Sequence, residues 1–133
     1  MKYYLDTNTI IYALKGSFPA ISDHFRKVSP QSIAIPSIVC AEIEYGARRS
    51  FDYSRTMSVY SRFMSVFPKE AFSEKAAAVY GSIRADLEAK GTPIGPNDLI
   101  IAATVKANDG ILITNNEKEF SRVEGLKIEN WTK

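Results

Sequence analysis

The first sixteen residues, MKYYLDTNTIIYALKG, constrain the fold more than any other stretch of this chain. Lys2 to Leu5 reads as a short apolar strand that stops at Asp6, and a helix with apolar spacing begins almost at once, at Thr7 to Thr9. Asp6 is thereby placed at the carboxyl end of a strand and the amino end of a helix. In open parallel sheets that edge is where ligands bind, and a carboxylate there can hold a hard cation. Asp6 is equally a good helix N-cap, which would explain it without any chemistry.

The same grammar repeats along the chain. A second short helix spans Ala20 to Val28, started near Ser17 or Pro19 and broken by Ser29-Pro30-Gln31. Ser32 to Ile35 is a β-branched run and the second strand. Pro36-Ser37 opens a helix over Ile38 to Arg49, with proline in the first turn and Ser37 as cap. Asp52 to Met64 is helical, with Tyr53, Met57, Tyr60 and Met64 on one stripe, and Val66-Phe67 before Pro68 is expected as a very short third strand. A long helix runs from Ser73, its cap, to Lys90, and Gly91 ends it. After a turn-rich link at Thr92 to Pro96, an apolar helix with a cap-like start covers Asn97 to Asn108. Asp109-Gly110 turns the chain into the apolar strand Ile111 to Thr114. Asn115 to Phe120 is a short helix, Lys127 to Ile128 a last edge strand, and Trp131 packs near it. Strands alternating with helices, without repeats or linkers, predict one α/β domain over residues 1–133, its parallel sheet covered on both faces.

Composition narrows the chemistry. No apolar run is long enough to span a bilayer. The opening YYL is too short for a secretory leader, and an acid follows it directly. Cys40 is the single cysteine and His24 the single histidine, so thiolate or imidazole metal sites are excluded and a reducing cytoplasm fits. Any metal site must be built of oxygen. A net charge of +2 does not announce a nucleic-acid partner and does not exclude one.

Four acids share one local context. Asp6 follows the first strand, and Glu42 lies early in the helix after the second. Asp98 lies in the first turn of the apolar helix, and Glu119 lies in the short helix after the strand Ile111 to Thr114. A parallel sheet brings these positions to one edge. Clustered carboxylates repel unless a cation or a proton neutralises them, and helix N-termini relieve part of that cost. Such a set makes an Mg²⁺ or Mn²⁺ site able to activate water at a phosphodiester. Taken singly, each has a plainer explanation: Asp6 and Asp98 as caps, and Glu42, Glu44, Glu117 and Glu119 as solvated helix faces.

The blocks LDTNTIIYALKG, PSIVCAEIEYGA, GTPIGPNDLIIAATV and ILITNNEKEF with GLKIENW resemble, in order and over essentially the whole chain, the PIN-domain ribonucleases, and among them the VapC toxins of VapBC toxin–antitoxin pairs. The resemblance implies a PIN-like three-layer α/β fold with a short parallel sheet of strand order 3-2-1-4-5, and a Mg²⁺- or Mn²⁺-dependent endoribonuclease site. Asp6, Glu42 and Asp98 match the family's core acids. The fourth position is usually aspartate before an aromatic; here Glu119 precedes Phe120, one methylene longer. Whether Asn116, Glu117 or Glu119 completes the metal shell is left open by this departure. Thr7 and Thr114 match small hydroxyl positions beside the site, and Asn8 and Asn97 are expected as its supporting neighbours. PIGPNDLIIAA and TNNEKEF resemble the subgroup that cuts initiator tRNA in the anticodon region. The resemblance further implies a VapB-type antitoxin, an RNA substrate and a homodimer in the cytoplasm.

Other residues carry competing readings. Lys15, Arg48 and Arg49 could meet phosphates, or simply complement helix C-termini. The Tyr53–Met64 stripe is expected to be core, with part of it available to an antitoxin helix. Cys40 is expected to be a small buried hydrophobe and His24 to have no catalytic task. Two other functions remain on sequence grounds: phosphoryl transfer through an aspartyl phosphate at Asp6, which would want a lysine in a later block, and a non-cleaving RNA- or partner-binding PIN module, which would be marked by a lost acid.

Overall fold

Tyr4 and Leu5 are almost wholly buried, and strand β1 (Tyr3–Leu5) that carries them lies at the middle of a five-stranded sheet. The computed structural model describes residues 1–133. β1 pairs with β2 (Ile33–Pro36) on one side and with β4 (Ile111–Ile113) on the other; β3 (Lys69–Glu70), against β2, and β5 (Lys127–Glu129), against β4, are the edges. All pairings are parallel and the order is β3-β2-β1-β4-β5, as the resemblance implied. Ile33, Ala34, Ile35, Leu112 and Ile113 are buried, which a parallel sheet covered on both faces requires. The edge strands are two and three residues long and carry Lys69, Glu70, Lys127 and Glu129, a composition that discourages further pairing.

Seven helices surround the sheet: α1 (Thr7–Lys15), α2 (Pro19–Lys27), α3 (Ser37–Arg48), α4 (Tyr53–Met64), α5 (Glu74–Ala89), α6 (Pro96–Ala107) and α7 (Glu117–Phe120). Seven of the twelve residues of α6 are buried, including Ala102, Ala103 and Val105, so it is apolar on almost every side and sits inside the molecule against α5. Ser73 caps α5, its side chain accepting from the Ala76 N–H, and Gly91 leaves the helix at φ +70°. Gly110 is obligatory for another reason: a Cβ there would collide with the Tyr4 ring as the chain enters β4.

Four expectations fail on local geometry. The third strand is Lys69–Glu70, not Val66-Phe67. The N–H of Phe67 turns back to the Met64 carbonyl, and only from Pro68, whose carbonyl accepts from Ile35 N–H at 3.0 Å, does the chain lie along β2. Ser37 does not cap α3: Pro36 holds that position, and the Ser37 hydroxyl donates to the Glu70 carbonyl at 3.1 Å, tying α3 to β3. α6 begins one residue earlier than expected, with Pro96 at its first position and no side-chain cap. The last helix begins at Glu117 rather than Asn115, because the Asn116 backbone, at φ −87° and ψ 57°, is not helical and its N–H donates to the Thr114 hydroxyl.

The order places a topological switch between β1 and β4. From β1 the chain builds outward through β2 and β3, then returns to the opposite side. The crevice at the carboxyl ends of β1 and β4 is the position at which such sheets bind ligands.

Candidate active site

Asp6 is the first residue past β1, and its N–H donates to the Ile113 carbonyl of β4 at 3.1 Å. Its carboxylate caps α1, accepting from Thr9 N–H at 2.8 Å, and the Thr9 hydroxyl donates to the Ile113 carbonyl at 3.1 Å. The expected cap is therefore present, on a carboxylate that is only 5% exposed. Burial raises its pKa; contacts from Thr114 and Thr9 counter that in part, and the Glu42 charge adds to it.

Glu42 reaches the same crevice from α3. Thr7, the first residue of α1, donates its hydroxyl to Glu42 Oε1 at 2.6 Å, and Asn97 Nδ2 lies 3.3 Å from Oε2. Asp98 enters from the first turn of α6. Burial, then Glu119, then the charges of Glu42 and Asp6 push its carboxyl up to about 7. Glu119, from α7, is held by the Gly95 N–H at Oε1 (2.8 Å) and by Asn116 Nδ2 at Oε2 (2.9 Å). Burial alone would raise Glu119. Hydrogen bonds from Gly95, Asn116 and Asp98, with the charge of Arg122, together keep it below the ordinary carboxylate range.

A cleft of about 160 Å³ opens between these elements, with Asp6, Thr7, Asn8, Glu42, Asp98 and Asn116 on its walls above Ile101 and Phe120. Thr114, fully buried, supports Asp6 from one side and accepts from the Asn116 N–H at 3.0 Å on the other. Asn8 stands on the wall, exposed. Asp6, Glu42 and Asp98 are thus brought together. Glu119 stands behind the wall, against Asp98 and Asn116. Glu117 points away, its carboxylate held by Asn130 Nδ2 at 2.8 Å and Lys133 Nζ at 3.2 Å. Glu44 is also diverted, accepting from the Tyr53 hydroxyl at 2.8 Å and pairing with Arg48.

The donor set is all oxygen, which suits a hard divalent cation by type. In this arrangement Asp6, Glu42 and Glu119 are engaged by their own donors, and no group of three or more acidic, histidine or cysteine side chains is set to hold one ion. The fit lies in the chemistry and convergence of the donors, and in the uncompensated negative charge that Asp98 reports.

The remaining singled-out residues have structural roles. Arg48 lies over the Tyr53 ring at 3.9 Å. Met64 is core, Met57 and Tyr60 pack against it, and Cys40 is half-buried beside the same core. The His24 ring stacks on Trp131, which is itself buried. Three contributors were not singled out in the sequence: the Gly95 N–H, Arg122 and Asn130. The Gly-Pro pair at the head of α6 marks Gly95 as a helix entry; the other two are brought in only by the tertiary fold.

This geometry coincides with a known family. The PIN domain family matches residues 3–126. The chain is 40% identical over 134 residues to ribonuclease VapC2 of Rickettsia felis, covering all of both chains. It is 37% identical over 131 residues to the tRNA(fMet)-specific endonuclease VapC of Salmonella typhimurium (strain LT2), covering 98% of each. The chain belongs to the VapC group of PIN-domain proteins. Among solved structures, the VapBC2 complex of Rickettsia felis bound to a DNA fragment from its promoter superposes with a TM-score of 0.92 at 38% identity, over 98% of this chain and 99% of that one. DNA-bound VapBC of Salmonella typhimurium gives 0.92 at 37%, over 98% of each. The VapC fold expected from the sequence is the fold observed, and no helix is long and apolar enough to cross a membrane.

Proposed function

We propose that this VapC-group chain is the toxin of a toxin–antitoxin pair: a Mg²⁺- or Mn²⁺-dependent endoribonuclease that cuts tRNA in the cytoplasm. The observation that carries the reading is the convergence of Asp6, Glu42 and Asp98 on one cleft, with Glu119 and Asn116 behind and beside them. These residues would hold the cation, which when bound lowers the pKa of a water and offsets charge on the phosphate. The protein's own groups do the remainder. Thr7 and Asn97 fix the two oxygens of Glu42. Asp98 retains a proton up to about pH 7 and gives it up when positive charge arrives. Asp6 cannot swing away, because it also caps α1.

The names of the Salmonella typhimurium and Shigella flexneri relatives support tRNA(fMet) as the substrate, and the anticodon region as the cut is carried over from the family resemblance. The complexes of the structural relatives support a VapB-type antitoxin as partner. A groove of about 250 Å³ between α1, α3 and α4 suits it. The groove has Ile11, Lys15, Ala47, Thr56 and Tyr60 on its walls and opens beside Glu42, so an apolar helix lying there could send a basic side chain to the acids. A homodimer is part of the same reading.

The aspartyl-phosphate alternative fits poorly. Asp6 is buried and doubly engaged, and no lysine lines the cleft. The non-cleaving alternative has nothing lost to support it, since all four acids are present.

Incubation of the purified chain with total tRNA, followed by end-mapping, tests the reading. Cleavage that EDTA abolishes and Mn²⁺ or Mg²⁺ restores is expected. Undiminished cleavage in EDTA removes the metal, and intact tRNA under all conditions removes the ribonuclease.

A further inference from the structure

α7 has four residues, far too few to hold a helix by itself. Something else must fix where it lies, because it carries Glu119. One anchor is Phe120, which is buried. The other is built by the segment that follows β5. Trp131 is 2% exposed and packs against Tyr3, Phe25 and His24. Next to it, Asn130 Oδ1 accepts from the Thr132 N–H at 3.0 Å and the Thr132 hydroxyl at 2.6 Å. With its oxygen occupied by two donors, the Asn130 amide has one orientation, and its Nδ2 donates to Glu117 Oε2. The Glu129 carbonyl accepts from the Thr114 N–H at 2.9 Å, so this segment and the base of the cleft move as one.

From this we infer that Asn130 is a positioning residue for the candidate metal site, acting through Glu117, with Lys133 as an outer support. Asn130 turns Glu117 away from the cleft and seats α7, so that Glu119 meets the Gly95 N–H and stands behind Asp98. Without the clamp two things change. α7 loses its attachment at the amino end, and a fifth carboxylate becomes free to turn toward an edge that already crowds four. The Lys133 contact is exposed and contributes little by itself; the half-buried Asn130 bond, held by a fixed turn, carries the constraint. The metal consequence rests on the reading of the cleft given above, whereas the positioning of α7 does not.

The decisive variants are Asn130→Asp and the pair Asn130→Asp with Glu117→Gln, made in the full chain. Aspartate keeps the oxygen that Thr132 needs but sets a carboxylate against Glu117. Glutamine at 117 then restores a donor and acceptor with their roles exchanged. The first readout needs no metal: hydrogen exchange at the Gly95 amide, which donates to Glu119. Asn130→Asp should speed it by roughly tenfold with the melting temperature unmoved, as a local opening does, and the double variant should bring it back to within about twofold of wild type. The second readout is Mn²⁺ affinity. It should weaken by about tenfold in Asn130→Asp, the low end of what losing a supporting partner costs, and recover in the pair. Gly95 exchange unchanged in Asn130→Asp, or unrescued in the pair, overturns the inference. Wild-type protein that binds no Mn²⁺, with Gly95 still responding, overturns the metal reading and leaves the clamp standing.

Discussion

Asp98→Asn in the metal-free protein gives the sharpest test of the electrostatics. The Asp98 carboxyl is raised from 3.8 to about 7 by burial, by Glu119, and by the charges of Glu42 and Asp6. A carboxyl that binds its proton more tightly in the folded than in the unfolded chain costs stability as it ionises. The loss begins near its ordinary pKa, grows as pH rises toward 7, and is complete above that. Full conversion of the separation gives about 4 kcal/mol. Asp98 is only half-buried, and solvent screening reduces this to about 1–2 kcal/mol. Asparagine cannot ionise and still offers an N–H toward Glu119, so the cost disappears in the variant.

The expected result is a pH-dependent gap. At pH 5 the gap should be a little over a third of its full size, about 0.4–0.7 kcal/mol, because the pH has already risen past the ordinary carboxyl pKa of 3.8. At pH 8 the variant should be more stable by about 1–2 kcal/mol, or roughly 3–8 °C in a domain of this size. Comparing the two proteins at each pH cancels the titrating groups that do not interact with Asp98, and leaves the crowded set of Asp98, Glu119, Glu42 and Asp6 as what the gap reports. Thermal melts by circular dichroism in EDTA, from pH 5 to 8.5, measure it. A gap of the same size at both ends of the range, of either sign, would show that Asp98 does not carry the crowding. The reverse should hold with saturating Mn²⁺, which stabilises wild type by its binding free energy and the variant by less.

Three further perturbations follow from the same geometry. Asp6→Asn retains the cap to Thr9, since asparagine caps as well as aspartate; metal-free melting should be unchanged or raised while tRNA cleavage falls by at least about a hundredfold, and a variant that unfolds yet cleaves normally per folded molecule would make Asp6 a structural cap only. Glu119→Gln should lower Mn²⁺ affinity by about tenfold, as expected of a group behind the wall, and let Asp98 titrate closer to its ordinary range by NMR; a loss as large as that of Asp6→Asn would instead make Glu119 a direct ligand. Binding of an antitoxin helix should slow hydrogen exchange at Ile11, Thr56 and Tyr60, and full inhibition without protection there would place the antitoxin elsewhere.

The parts of this molecule that were legible in the sequence are those set by neighbours in the chain. The β1–Asp6–α1 junction needs only an apolar triplet, a capping carboxylate and a helix with apolar spacing, and it stands as read. The acids converge because each follows a strand or opens a helix, and a parallel sheet gathers such positions at one edge. What the sequence hid is where side chains point. Ser37 looks like a cap until β3 offers the Glu70 carbonyl. Asn116 and Glu117 are adjacent in sequence, yet one lines the cleft and the other is turned outward by Asn130, a residue thirteen positions further on. Pro68 moved the third strand by letting its carbonyl, rather than its missing N–H, begin the pairing.

Countercharge is distributed unevenly among the acids of this chain. Glu44 has Arg48 and the Tyr53 hydroxyl, Asp86 has Lys90, Glu88 has Arg84, and Glu117 has Lys133 and Asn130. Asp6 and Glu42 have hydroxyl, amide and backbone donors and no basic partner, and Asp98 meets only the Glu119 carboxylate, on which Arg122 acts. Neutral donors can satisfy the lone pairs of a carboxylate without cancelling its charge, and three helices that begin at this edge offset only part of what remains. Burial first, and then this imbalance, act on Asp98, which keeps a proton at pH values where an isolated aspartate has long lost it. At this crevice three acids crowd together with no lysine or arginine on its walls, and the proton on Asp98 does part of what a positive charge from outside the chain would do there.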